Sequence, residues 1–394
     1  MKTTPGQTSR AIVIGGSLGG LFAAYQLRAA GWDVEIYERS PRDLDSRGGG
    51  LALRSEVVDT LRQADPDLNI EDLGIFPRAR VAMAVDGAIE ARHLGSRPHT
   101  SWSLVYTSLR RVIGNEHYHQ GRVLTAIEDA EKGGVRAFFA DGSAATADLL
   151  VGADGGNSTV RRLRWPAAEP TYAGYLAWRG LVVEDAMPPL ARRMLHGEIV
   201  FANRPRSHIL GYLVPGDNND VRPGHRIFNW VWYRPADAGM LADVMTDSEG
   251  ISRSYSVPEG LLAPKWREHV YRDAEILPPP FRELVRATRE PFAQAIRDLA
   301  VDHMVDGRVI LVGDAASIPR PHTAASTSKA ATNARALREA LKACPDDMDR
   351  ALAAWEPAQV ALGRLLRGQG QALGRELMLE PPYDVRREPL LSAS

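Results

Sequence analysis

Four apolar positions in a row, residues 11–14 (AIVI), run into the glycine-rich turn GGSLGG; Leu21, Ala24, Tyr25 and Leu27 then recur at helical spacing until Gly31. A short unbroken apolar run suits a strand buried on both faces of a parallel sheet, and the periodicity behind it predicts a helix from about residue 18. A second strand over 34–37 closes on Glu38 and completes a βαβ unit. Gly15 permits the tight exit from the strand, and Gly20 lets the helix lie close to the sheet, so the free N–H groups at its start point at a pyrophosphate. Glu38 is placed to accept both hydroxyl protons of a ribose. Ser17 stands where G-x-G-x-x-G has its middle glycine, which leaves the backbone less room to approach a phosphate. Alone, the stretch also reads as an ordinary strand, turn and helix.

Further along, the patterns predict a helix over 55–63, a hairpin over 81–84 and 89–93 around Asp86-Gly87, and a helix over 104–113. PRDLDSRGGGLAL at 41–53 holds Gly48, Gly49 and Gly50, a run that suits either a loop close to a flat ligand or a linker. A second hairpin, 135–140 with 147–151, leads into GADGGNSTVR, where Ser158 is placed to cap a helix from Thr159. Over 172–233 the pattern changes to alternating, aromatic-rich runs broken by Pro and Gly, which predicts an inserted and mainly antiparallel sheet. Helical spacing returns over 263–289, a buried strand over 309–312, and a long amphipathic helix over 348–377 before a polar tail. The fold class is therefore α/β. Residues 1–170 form a dinucleotide-binding domain with interleaved strands around 80–100, and 171–290 a β-sheet substrate domain. Residues 291–345 return to the first domain, and 346–394 are a C-terminal helix and tail.

Composition changes this picture little. The 394 residues are 44% hydrophobic and 25% charged, and 48 basic against 49 acidic side chains leave a net charge of −1. No strong field draws nucleic acid or an anionic membrane. The single cysteine, Cys344, excludes an intramolecular disulfide and predicts a reducing, cytoplasmic setting. The first ten residues lack the apolar core of a signal peptide, and no apolar run is long enough to span a bilayer.

Three stretches stand in order: IGGSLGGL with Glu38, GADGGNSTVR at 152–161, and VGDAA at 312–316 followed by Pro321. Together they resemble the signatures of single-component FAD-dependent aromatic hydroxylases, the para-hydroxybenzoate hydroxylase-like family, over nearly the whole chain. TYAGYLAWRG at 171–180 and GDAASIPRPHTAA at 313–325 resemble its dihydroxypyridine hydroxylase branch, which also carries serine at the position of Ser17. The resemblance implies a Rossmann-type FAD-binding domain and assigns Gly15, Ser17, Gly20 and Glu38 to the ADP half of FAD. Asp154 and Gly155 would serve FAD and the passage of NADH or NADPH, and Gly313 and Asp314 the ribityl chain. Pro321 would lie beside the flavin, with Ala324, Ala325 and Ser326 in the loop facing its pyrimidine edge. Most relatives have glycines where Ala324 and Ser326 stand, aspartate at Asn333, and an arginine near Tyr106.

The implied activity is NAD(P)H-dependent hydroxylation of a small electron-rich aromatic or N-heteroaromatic ring, such as a hydroxypyridine, with O2 activated as a flavin hydroperoxide. The catalytic candidates are His322, able to accept a phenolic proton near neutral pH, and Arg179, facing flavin or an anionic substrate. Tyr212, Trp230 and Trp232 are candidates for the substrate wall, with the domain core as the alternative. His117 and His119 form an H-x-H that reads as a solvated loop, no metal is expected, and Arg161 and Arg162 read as a solvated helix start. The expected partners are a small aromatic substrate and O2, in a monomer or homodimer. A flavin oxygenase of larger natural products, by Baeyer-Villiger insertion or oxidative decarboxylation, and a flavin-binding sequestration protein remain as alternatives.

Overall fold

The computed structural model describes residues 8–44, 49–95, 97–130 and 133–378. Gly48 and the polar tail lie outside them. A six-stranded sheet runs in the order Val305–Asp306, Val309–Leu311, Leu149–Gly152, Arg10–Ile14, Asp33–Tyr37, Tyr118–His119, parallel except at its first pair. Ile14 is in register with Gly152, and Gly152 with Leu311. The three glycine-bearing turns thus leave the same edge of three adjacent parallel strands, where ligands of such sheets sit. Each strand there is apolar on both faces because both are covered: the helices Leu18–Arg28, Trp102–Ile113 and Ser326–Ala343, which pack on one another, and the antiparallel strands Leu124–Asp129, Val135–Phe139 and Ala144–Ala147 share one continuous core with it. Gly20 makes the closest of these packings possible, since a Cβ there would strike the Gly15 carbonyl oxygen.

The second sheet contains, in order, Ser256–Val257, Phe292–Ala300, Thr171–Val183, Ile227–Pro235, Ser207–Val214, Ile199–Arg204, Ala79–Met83 and Ile89–Leu94. All its neighbours are antiparallel except Ile199–Arg204 with Ala79–Met83. One face packs on Pro189–Leu195, Pro264–Asp273 and Pro279–Ala287 around Trp178, Trp230, Trp232 and Phe281. The other face looks back toward the first sheet. The helix Met348–Met378 ends against that face, with Leu377 and Met378 packed by Tyr175, Val231 and Tyr233 and with Gly370 and Gly374 against Arg320.

Three sequence expectations are corrected. Residues 147–151 are not one hairpin arm: Ala144–Ala147 pairs antiparallel with Val135–Phe139, whereas Leu149–Gly152 crosses into the parallel sheet. All four residues of that last strand are buried, as a central position demands. Phe292–Ala300 extends the second sheet past residue 290, because its alternate residues Ala293 and Ala295 seal the helix-covered face. Tyr118–His119 is a strand rather than a loop; Glu35 lies 2.9 Å from His117 Nδ1 and 2.6 Å from His119 Nε2, pairing both rings. One oxygen of Asp33 and one of Glu35 lie within 4.8 Å of a His117 nitrogen.

Candidate active site

A cleft of about 1860 Å3 runs between the two sheets. It is lined by Ser17 to Gly19 of the first turn, Gly155 and Asn157 of the second, and Val312 to Asp314 and 319–327 of the third. The far wall is the free face of the second sheet, including Arg179, His208, Tyr212 and Tyr233.

The first turn presents unsatisfied donors. Gly15 sits at φ 102°, and Ser17, at the helix N-cap, makes no capping bond with its side chain, so the first helical N–H groups remain open to the cleft. Glu38 is 5% exposed; its Oε2 accepts the Gly16 N–H at 2.7 Å and its Oε1 the Ser40 N–H at 2.8 Å. The neighbouring Arg39 lines the cleft.

The second turn divides its labour. Asp154 accepts from the Ser158 hydroxyl, from Thr159 N–H at 2.6 Å and from Val160 N–H at 3.1 Å, so its carboxyl caps the helix Thr159–Arg164. Burial pushes that carboxyl up against these bonds. Gly155, at φ 77°, carries the backbone past the cleft. Arg161 is not solvated: it is 2% exposed and donates to the carbonyls of Gly156 at 2.6 Å, Ala315 at 2.9 Å and Ala168 at 3.0 Å. It straps the second turn to the third, a role invisible in a sequence that does not reveal which loops meet. Arg162 is exposed and holds Asn157.

In the third turn Gly313 takes φ 60° and donates its N–H to Asn333 Oδ1 at 3.1 Å. Asn333 Nδ2 in turn donates to Gln359 Oε1 at 2.9 Å. An amide serves both bonds, where a carboxylate could only accept. Asp314 accepts from Ser326 Oγ and, at 3.2 Å, from Lys329 Nζ. Lys329 is 2% exposed, also donates to the Ser317 carbonyl, and burial lowers its pKa despite Asp314. Ala324 adopts φ 48°, ψ 31°, a left-handed conformation costing an alanine about 1 kcal/mol or more. Ala325 then caps the helix from Ser326 without a side-chain bond, leaving free N–H groups beside Pro321 and the cleft. Ser326 spends its hydroxyl on Asp314, whereas Ala324 holds a left-handed position that a glycine takes without that cost.

On the sheet wall, Arg179 Nη1 donates to Gln294 Oε1 at 3.0 Å, and its Nε has no hydrogen-bond partner among the described residues. Tyr212 packs on His99 at 4.1 Å between ring centroids, and burial pushes its hydroxyl up to about 12. Trp230 and Trp232 do not reach the cleft. Each is 0% exposed in the helix-covered core, their indole N–H groups donating to Thr288 Oγ1 at 2.9 Å and Ser207 Oγ at 2.8 Å. Register decides this. Tyr212 is opposite Asn229 and Gly211 opposite Trp230, so Tyr212 shares its face with Asn229, Val231 and Tyr233. His322 lines the cleft, 2.9 Å from the Tyr175 hydroxyl and 4.2 Å between ring centroids from Tyr233. Tyr233, His208 and Tyr175 were absent from the sequence candidates; strand alternation about Tyr212 points to the first two once the register is known.

The site fits FAD. Free backbone donors of the first and third turns open on one space, Gly155 of the second turn lines it between them, and the Gly20 contact leaves no room for a side chain between helix and sheet. Comparison with known proteins agrees. The FAD binding domain-like family profile matches residues 172–298. The chain is 36% identical to 2,6-dihydroxypyridine 3-monooxygenase of Paenarthrobacter nicotinovorans, over 90% of this chain and 88% of that one. It is 28% identical to 3-amino-4-hydroxybenzoate 2-monooxygenase of Streptomyces cremeus, over 94% and 88%. The solved structure of 2,6-dihydroxypyridine-3-hydroxylase from Arthrobacter nicotinovorans superposes with a TM-score of 0.91 at 32% identity, covering 97% of this chain and 96% of that chain. That of Klebsiella pneumoniae HpxO with FAD and uric acid, 20% identical, shares the fold at a TM-score of 0.75 over 96% and 90%. Geometry and kinship meet in one conclusion: this chain belongs to the para-hydroxybenzoate hydroxylase-like FAD-dependent aromatic hydroxylases and is a flavoprotein monooxygenase that draws on NADH or NADPH.

Proposed function

We propose that this enzyme hydroxylates a small, electron-rich hydroxylated ring, with the hydroxypyridines as its substrate class. The observation that carries the reading is the single cleft joining the three glycine-bearing turns to a wall of Arg179, Tyr212, Tyr233 and His322. The kinship with an enzyme named for 2,6-dihydroxypyridine supports the choice of ring.

Bound FAD supplies the redox chemistry, taking electrons from NADH or NADPH and activating O2. The turn from Gly15 to Gly20, with Glu38, would hold its ADP half, Gly313 and Asp314 its ribityl chain, and residues 321–327 its ring. Free N–H groups at the start of Ser326–Ala343 stabilise negative charge placed before them, because the helix dipole and the open donors act together. Tyr212 and Tyr233 orient a flat ring by packing and exclude water from it. Arg179 sets a positive charge on the same wall, favouring an anionic form of the substrate. Gly155 and Asp154 shape the passage for the nicotinamide donor. The setting we infer is the cytoplasm, consistent with a lone cysteine; among the described residues no helix is long and apolar enough to cross a membrane. We expect a monomer or homodimer.

Purified enzyme should carry one FAD per chain. Hydroxypyridines and phenols should be ranked by NAD(P)H oxidation, O2 uptake and product mass. A hydroxypyridine gaining one oxygen atom with matched O2 consumption supports the reading. Turnover confined to phenols, or oxygen inserted into a ring C–C bond, overturns it.

A further inference from the structure

His322 ends a buried hydrogen-bond chain that has a direction. The carboxylate of Asp298, 5% exposed, accepts from Arg320 Nε at 2.9 Å and Nη2 at 2.7 Å. Arg320 Nη1 then donates to the Tyr175 hydroxyl oxygen at 3.3 Å, and that hydroxyl lies 2.9 Å from His322 Nε2. Gly374 permits the arrangement, since a side chain there would strike both Arg320 and Tyr175.

A guanidinium offers no lone pair, so the Tyr175 proton cannot turn toward Arg320. It goes to His322 Nε2. A nitrogen that accepts is bare, and in a neutral imidazole the proton then resides on the other nitrogen. That nitrogen, Nδ1, has no hydrogen-bond partner among the described residues, on a ring that lines the cleft. The ring is neutral: burial, then His208 and Arg320, hold its pKa well below the ordinary value. The groups packed around it are Tyr233, His208 and Tyr175, and the carboxylate at the far end is spent on Arg320 and Gln371.

We propose that Asp298, Arg320 and Tyr175 lock His322 as the Nδ1–H tautomer, making it a fixed hydrogen-bond donor to an acceptor oxygen of the bound ring, a phenolate or lactam carbonyl. It is then not the base that removes the ring proton, the role the sequence suggested. A chain that runs through a guanidinium carries no proton away, and Nδ1, the buried nitrogen left without a partner, is already protonated. The substrate accordingly arrives as its anion or oxo tautomer. Tyr175 and Arg320 are positioning residues. The identity of the acceptor rests on the hydroxylase reading above; the tautomer does not.

The tautomer is read by NMR of FAD-loaded enzyme labelled with 15N-histidine, the His322 signals assigned by their loss in His322→Asn. The expectation is a protonated Nδ1 and bare Nε2 without substrate, unchanged between about pH 6 and 8, and a mixture of tautomers in Tyr175→Phe. A protonated Nε2, or a ring that titrates in that range, overturns the lock. Binding of 2,6-dihydroxypyridine, followed by flavin absorbance, tests the donor. His322→Asn, whose amide can stand where Nδ1–H does, should bind within about threefold of the parent, and His322→Gln about tenfold to a hundredfold more weakly. Equal losses in the two variants overturn the donor role. If the parent enzyme binds no hydroxypyridine, the substrate reading falls while the NMR result still decides the lock.

Discussion

Arg161 offers the sharpest test of how the cleft is held together. Its guanidinium reaches the carbonyls of Gly156, Ala315 and Ala168 from a position 2% exposed. Replacing it by methionine keeps the apolar stem and removes three charge-assisted bonds, each worth about 1.5–3 kcal/mol, while leaving buried carbonyl oxygens without donors. Relief of guanidinium desolvation offsets part of that loss, because burial lowers the pKa of Arg161. We expect Arg161→Met to destabilise the fold by about 4 kcal/mol. At roughly 2.1 cal/mol/K of unfolding entropy per residue, 394 residues translate this into about 5 °C of melting temperature. FAD affinity should fall by at least about tenfold as well, because the strap joins two of the three turns that face it. Thermal unfolding by circular dichroism and FAD titration by flavin fluorescence measure the two effects separately. Melting within about 1 °C of the parent together with unchanged FAD affinity would refute the strap. Arg161→Lys should recover less than half of the loss, since one ammonium cannot serve three divergent carbonyls.

Three further outcomes follow from the geometry. Gly20→Ala should yield protein without bound FAD, by absorbance of the purified sample, because the added methyl meets the Gly15 carbonyl. Trp232→Phe should lose about 2 kcal/mol of stability in denaturant unfolding, by deleting the indole bond to Ser207, yet leave the substrate KM within about twofold; a large KM change would restore it to the cleft wall. Glu184 is buried, which pushes its carboxyl up, but Arg226, His196 and the Gly224 N–H outweigh this and leave it at about 2. A carboxyl depressed on folding adds stability above its unfolded value near 4.5 and loses it as pH falls through the folded one. Glu184→Gln should therefore be destabilised by about 2 kcal/mol at pH 7, with the gap closing between about pH 4.5 and 2. A gap that stays constant over that range would show that the charge is not its source.

The chain's own pattern determined the elements nearest the cofactor. Apolar runs at 11–14 and 309–312, helical spacing after each, and glycines where the backbone turns left-handed are local properties, so the strand Arg10–Ile14, the helix Leu18–Arg28 and the helix Met348–Met378 were legible to within a residue or two. The motif order also identified the family. Tertiary structure alone decided which face of the second sheet meets the ligand, because strand register is a relation between segments: it hid Trp230 and Trp232 and exposed Tyr233 and His208. It also decided what buried charges do. Arg161 read as a solvated helix start in the sequence and Arg320 carried no reading there; only the approach of distant carbonyls and of Asp298 allows these guanidinium groups to leave water.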